Sequence, residues 1–286
     1  NLRDRRDFVG LDMSCRSLIE VRCEALGRLH FVNLDPDAAP LRESLGPVAA
    51  ALEETRPDQM ILVDKTAIRV ACNVKILLDA FLEVYHLKSI HQNTVDRFLD
   101  HRGSAITLWP GGHSRMVTPY KRAGWTDPGV RGLPEVEGMD PFYRDTNYSV
   151  LAYPNLVSPI ATAGIPVLCF WPETIDTMLI EVHWFAPSWG EGPRPAIWDT
   201  RLKNFLAILD EDLQFADKIQ KSVESRGLRG FPLNYQERRI YHWHEELDRR
   251  IGRDAIPAAL QVPDRLEGWV EVPGGEPARP VEAALS

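Results

Sequence analysis

Residues 73–91, NVKILLDAFLEVYHLKSIH, constrain this chain more than any other stretch. Read as a helix at about 100° per residue, they place Lys75, Asp79, Glu83 and His86 within an arc of about 80°. The remaining surface is apolar: Val74, Ile76, Leu77, Leu78, Phe81, Leu82, Val84 and Leu87. Such a helix is buried, so its ionisable stripe must be paired, hydrogen-bonded or bound to a metal. Lys75 and Asp79 have i, i+4 spacing for an ion pair. Glu83 can hold a ring N–H of His86, fixing the tautomer and leaving the other nitrogen free for a metal. His91 lies about 140° further round an ideal helix, so both histidines reach one ion only where the helix ends or distorts, for which Lys88-Ser89 are suitable. A core histidine satisfied by ordinary hydrogen bonds is the other reading.

A third ligand has a candidate in LKNFLAILDEDLQFADKIQ. Its helical stripe runs through Leu202, Phe205, Leu206, Leu209, Leu213, Ala216, Ile219 and Val223, and Asp212 falls inside it. Glu211 projects to the opposite side and Asp210 to the edge. A carboxylate on an apolar face is explained by a cation, and equally by a cap or salt bridge. Two histidines with one carboxylate form the facial triad that leaves coordination positions open for oxygen chemistry.

The rest of the pattern is strands followed by helices. Strands are expected at 29–34, in one or two pieces over 60–72, and at 105–108, 115–118, 149–153, 165–171 and 177–185. Helices are expected at 41–55, 198–225 and 235–251, with a long loop at 121–144 and a loosely ordered tail after Pro257. Absent βαβ alternation, this predicts an α+β fold with an antiparallel sheet around a ligand cavity. Lys+Arg 33 against Asp+Glu 41 gives a net charge of −8, which argues against nucleic-acid binding. No run approaches the roughly 20 apolar residues of a membrane span. Cys15, Cys23, Cys72 and Cys169 form no CxxC pair, which fits a reducing cytoplasm.

These residues resemble the catalytic domain of the α subunits of Rieske non-haem iron ring-hydroxylating oxygenases. The resemblance is carried by Asn73-Val74-Lys75, by Glu83-Val84-Tyr85-His86 with His91, and by Glu211-Asp212 with Gln220 and Arg226-Gly227. Tyr153-Pro154-Asn155-Leu156, Trp171-Pro172 and the stretch from Glu237 to His242-Trp243-His244 also match, so it spans roughly residues 1–250.

The resemblance implies a helix-grip domain, a long curved antiparallel sheet packed around a C-terminal helix, over 43–286. Residues 1–42 would be the remnant of a small Rieske-type β domain. His86, His91 and Asp212 would hold mononuclear Fe(II), with Asn73 close to it. Electrons would come from a Rieske 2Fe-2S cluster on a neighbouring subunit of a homotrimer, with Glu83 bridging the junction, and from NAD(P)H through a reductase or ferredoxin. A cluster needs Cys-x-His and Cys-x-x-His, which no cysteine here supplies, so no cofactor-binding residue for it is expected in this chain. With Asn1 first, the cluster-binding part is expected upstream. Glu83 stands where many aromatic dioxygenases have Asp, and Glu also occurs in members acting on quaternary-ammonium substrates.

The implied activity is mono- or dioxygenation of an aromatic or other small organic substrate by O2. Leu82, Leu87, Tyr153, Leu156, Trp171 and Trp184, together with Leu151 and Ile180, are expected to line its pocket. Arg115 in Gly112-His113-Ser114-Arg115 offers a fork for a carboxylate, with surface exposure the other account. His183, His242 and His244 have no acidic partner in sequence and read as structural. The competing function is a helix-grip module that binds a small hydrophobic ligand without redox chemistry.

Overall fold

A computed structural model describes residues 21–273; Cys15 and the N-terminal part of the expected 1–42 unit lie outside them. Two short strands, β1 (Arg22–Leu26) and β2 (Leu29–Asn33), form a separate antiparallel hairpin. The expected helix at 41–55 is two helices, α1 (Leu41–Leu45) and α2 (Pro47–Glu54). They part at Gly46, whose φ of +51° is outside the helical region and suits glycine.

Seven strands build the main sheet: β3 (Met60–Val70), β4 (Ala105–Leu108), β5 (Ser114–Pro119), β6 (Thr146–Ala152), β7 (Leu156–Ile160), β8 (Ile165–Pro172) and β9 (Met178–Pro187). Their spatial order is β3-β9-β8-β7-β6-β5-β4, and every pairing is antiparallel. The expected α+β fold with an antiparallel sheet is therefore what forms. Strand β7, absent from the expected strands, carries Ser158 and Pro159 in its centre, which dilutes the alternation.

Consecutive in sequence, β3 and β4 stand at opposite edges of the sheet. The crossing between them holds α3 (Val74–Phe81) and α4 (Leu87–Ile90). Later come the short α5 (Phe142–Asp145), the long α6 (Ile197–Val223) and α7 (Arg238–Ile251). One face of the sheet, through Leu168, Phe170, Ile180, Val182 and Trp184, packs against Leu77, Leu78 and Leu82 and against Trp198, Leu209 and Ala216 of α6. Phe170 is completely buried, and removing such a side chain from water contributes roughly 1.5–3 kcal/mol. The 121–144 loop joins this core through Val130 and Leu133.

The tail is more ordered than expected as far as residue 272. Glu245 accepts the N–H groups of Arg265 (2.6 Å) and Leu266 (3.2 Å), Asp248 accepts that of Val262 (2.6 Å), and Val270 bridges to Leu108. No helix of the described residues is long and apolar enough to cross a membrane.

Candidate metal centre

The helix read over 73–91, with an end or distortion allowed at Lys88-Ser89, breaks earlier than that. Its start is as the sequence suggests: Asn73 caps α3, its side chain accepting the N–H of Lys75 at 3.1 Å. The break comes at Glu83, whose carboxylate accepts the backbone N–H of Tyr85 and that of His86 (3.2 Å). A side chain that satisfies backbone donors this way competes with the helical ladder. Helix α3 stops at Phe81, and one turn, α4, resumes at Leu87. His86 and His91 flank that turn, which removes the angular obstacle an unbroken helix would impose.

Across from them, α6 buries Leu209, Ala216 and Gln220 along one stripe, and Asp212 shares it. The Nε2 of His91 lies 3.1 Å from Asp212 Oδ1, and the Nε2 of His86 lies 3.7 Å from the same oxygen. One ligand atom from each of the three residues falls within 4.8 Å of the others. Donors bound side by side to one ion at about 2.1 Å sit roughly 3 Å apart, so this set fits a single metal. His91 is buried, with 3% of its side chain exposed, and Asp212 shows 12%.

Each histidine is aimed by its own carboxylate. His86 Nδ1 pairs with Glu83, and His91 Nδ1 donates to Glu211 at 2.6 Å. Both Nε2 atoms are thereby left toward Asp212, the arrangement that metal-binding histidines use. Glu211 also accepts the hydroxyl of Thr94 at 2.7 Å. The sequence reading turned Glu211 away from the site; the α6 helix passes close enough to α4 for both Glu211 and Asp212 to reach it. Burial pulls His91 toward the neutral form, but its bonds to Asp212 and Glu211 win and hold its pKa above the ordinary value. Burial raises Glu211, and the bonds from His91 and Thr94 reverse this and keep it below the usual carboxylate range.

Several expectations are corrected. Asn73 is not at the centre: its backbone N–H donates to Gln220 (2.7 Å) and its amide to the carbonyl of Ile175 (2.7 Å). Gln220 is eight residues past Asp212, about 12 Å along α6, so Asn73 clamps the two helices together instead. Asp79 pairs with His244 Nε2 (3.1 Å) rather than with Lys75, whose side chain is exposed; the acidic partner of His244 comes from another helix. His242 is structural as expected, donating to the carbonyl of Trp109 at 2.8 Å.

A cavity of about 400 Å³ opens on Glu83, His86 and Asp212, lined also by Ile76, Ala80, Ile90, Phe215 and Ile219. None of Leu82, Leu87, Tyr153, Leu156, Trp171 and Trp184 borders it. Leu82 and Trp184 are core, the latter packed edge-on to Trp198 and Phe205. Leu87 packs with Met116, Leu156 belongs to the core beneath α2, and Tyr153 lies against Trp243. Trp171 is 45% exposed. Leu151 and Ile180 are fully buried core. The cavity-lining residues come from α3, from Ile90 of α4 and from the C-terminal part of α6, and several of them, Ile76 and Ile219 included, belong to the apolar faces that sequence periodicity assigns to the core. Arg115 donates to Thr107 Oγ1 (2.9 Å) beside the Trp109 ring and borders a separate cavity of about 330 Å³ that no candidate ligand touches.

Known proteins match most of this length. The family described as ring hydroxylating alpha subunit (catalytic domain) matches residues 57–253. The carnitine monooxygenase oxygenase subunit of Escherichia coli (strain K12) is 24% identical over 233 residues, covering 80% of this chain and 58% of that protein. Among solved structures, a quaternary ammonium Rieske monooxygenase in complex with L-carnitine superposes with a TM-score of 0.62 at 16% identity, over 84% of this chain and 64% of that one. Naphthalene 1,2-dioxygenase from Rhodococcus sp. bound to indole gives 0.61 at 18% identity, over 80% and 65%. The chain spans about three-fifths of the length of the curated relatives it matches.

Proposed function

The chain belongs to the ring-hydroxylating α-subunit family through its catalytic domain, and on that premise we propose that it is the iron-bearing part of a Rieske-type oxygenase. The observation that carries this is the convergence of His86, His91 and Asp212 with both imidazoles oriented by Glu83 and Glu211. A helix-grip binder of small apolar ligands has no use for three such donors and two carboxylates behind them.

Ferrous iron in a two-histidine, one-carboxylate set supplies activation of O2 at its open positions. The chain's own contribution is placement. Glu83 and Glu211 keep the Nδ1 protons in place, so each Nε2 presents its lone pair. Ile76, Ala80, Ile90 and Phe215 give the adjoining cavity apolar walls that admit a small organic molecule and disfavour water. Glu83 stands between His86 and the exposed Tyr85, where a neighbouring electron donor can come close.

The donor in this reading is a Rieske 2Fe-2S cluster outside the described residues, reached from NAD(P)H through a reductase or ferredoxin, on an adjacent subunit of a homotrimer. Residues 1–42 are the end of the preceding β domain, and 43–286 the catalytic domain. The product is a mono- or dioxygenated small molecule, aromatic or otherwise, formed in the cytoplasm. Anaerobic loading with ferrous ion tests the reading. About one iron per chain is expected, lost in His86→Ala and Asp212→Ala with circular dichroism unchanged. A folded wild-type chain that retains no iron would overturn it.

A further inference from the structure

The two faces of β5 meet different surroundings. Met116 packs against Val84 and Leu87, which flank His86, whereas Arg115 and Val117 point to the other side of the sheet. There they stand opposite Thr107 and Ala105 of β4 and line with them the cavity of about 330 Å³. Pro119 and Phe142 add to its apolar walls, and Thr146 adds a hydroxyl.

Arg115 is half-buried in this wall, and its guanidinium is fixed. Nε donates to Thr107 Oγ1 at 2.9 Å, and Cζ lies 5.5 Å from the Trp109 ring centre and 6.0 Å from that of Tyr148. Among the described residues neither Nη has a hydrogen-bond or ion-pair partner, and neither is sealed from solvent. The other polar groups leave this charge unanswered. Thr146 gives its proton to the carbonyl of Phe142 (2.7 Å), and Thr107, accepting from Nε, keeps its own proton for a further acceptor. No acid among the described residues lines the cavity.

We propose that this cavity is a second ligand site, separate from the metal centre, that takes a small organic carboxylate with an apolar body. The Thr107 bond sets the guanidinium plane, so the Nη groups can fork onto the two carboxylate oxygens. The body then lies on Ala105, Val117 and Phe142, in a volume at the small end of ligand sites. The intervening sheet keeps such a molecule from His86, His91 and Asp212, so it is not the compound oxidised. The proposal therefore stands or falls apart from the oxygenase reading.

Isothermal titration of the full chain with benzoate, hexanoate and their neutral amides tests this, with and without ferrous ion under anaerobic conditions. At least one acid should bind about 10–100-fold more tightly than its amide, and equally well with or without the metal. Arg115→Met should abolish that preference with circular dichroism unchanged, and Arg115→Lys, which keeps the charge but not the fork, should lose most of it. Ala105→Phe fills the cavity from an exposed position of the edge strand and leaves Arg115 in place; it should block the acid as well. The proposal fails if neither acid outperforms its amide, if the acid binds only with ferrous ion, or if Arg115→Met or Ala105→Phe binds it like the wild type.

Discussion

Glu211 accepts the Nδ1 proton of His91 at 2.6 Å, from the position in α6 immediately before Asp212. Neighbouring residues on one helix thus contribute a candidate metal donor and the carboxylate that aims the ring of a second. Any rotation of α6 would displace both together.

Removing the aiming group alone should therefore weaken the site without dismantling it. Glu211→Ala is expected to lower ferrous affinity about 10–100-fold, read by titration against a competing chelator, with an unchanged circular dichroism spectrum. Affinity equal to wild type would show that packing around the buried His91 ring is enough to orient it.

Glu83 has three acceptor tasks, toward Tyr85, the His86 backbone and the His86 ring. Glu83→Gln keeps an acceptor oxygen but loses the charge. At saturating ferrous ion its iron content should match wild type. In the complete oxygenase, single-turnover reoxidation of the cluster should slow by about 10–100-fold. Reoxidation at the wild-type rate would remove Glu83 from the electron route.

Two buried histidines set the acid side of the stability profile. Burial lowers the pKa of His113, which donates from Nε2 to the carbonyl of Ser44 at 2.8 Å, and that of His242, bonded to the carbonyl of Trp109. Both are neutral in the folded chain, whereas the unfolded chain takes up protons near pH 6.5. Their stabilisation is thus present above that pH and is lost as pH falls below it, at up to about 1.4 kcal/mol per unit for each. Urea midpoints of metal-free protein between pH 7.5 and 5.5 should fall accordingly, and His242→Gln should flatten the slope. An equally steep slope in the variant would assign it to other groups.

Gly164 holds φ +114° between β7 and β8, and a Cβ there would lie 2.7 Å from the carbonyl oxygen of Phe185 and 3.1 Å from the Trp198 ring. Gly164→Ala should destabilise the chain by roughly 2–4 kcal/mol through backbone strain and overpacking. Denaturant unfolding measures this, and a loss below about 0.5 kcal/mol, the range of ordinary surface substitutions, would mean the turn can relax.

The three side chains that the structure brings together were legible in the sequence because each signal was local: a charged stripe on an apolar segment, and Asp212 inside a helical stripe. The position of the helix break was not, because it depends on Glu83 folding back onto its own backbone rather than on Gly or Pro. Glu211 was missed for a different reason. Helical periodicity assigns faces relative to one partner surface, and α6 has two, the sheet and α4. Likewise the pairing of Asp79 with His244 joins positions 165 residues apart, which no spacing rule can foresee. The residues named for the pocket do not border the cavity beside His86 and Asp212, because apolar and aromatic character marks core as readily as a lining.

The two histidines ride on the piece of chain between β3 and β4, which travels from one margin of the main sheet to the other. Every strand that stands between the two margins follows that strap in the chain, and Asp212 follows later still. Contacts of such long sequence separation form late. In the proposed site, iron capture would therefore be a signature of completed assembly, and by mass action ferrous ion would favour the finished ladder over partly built ones.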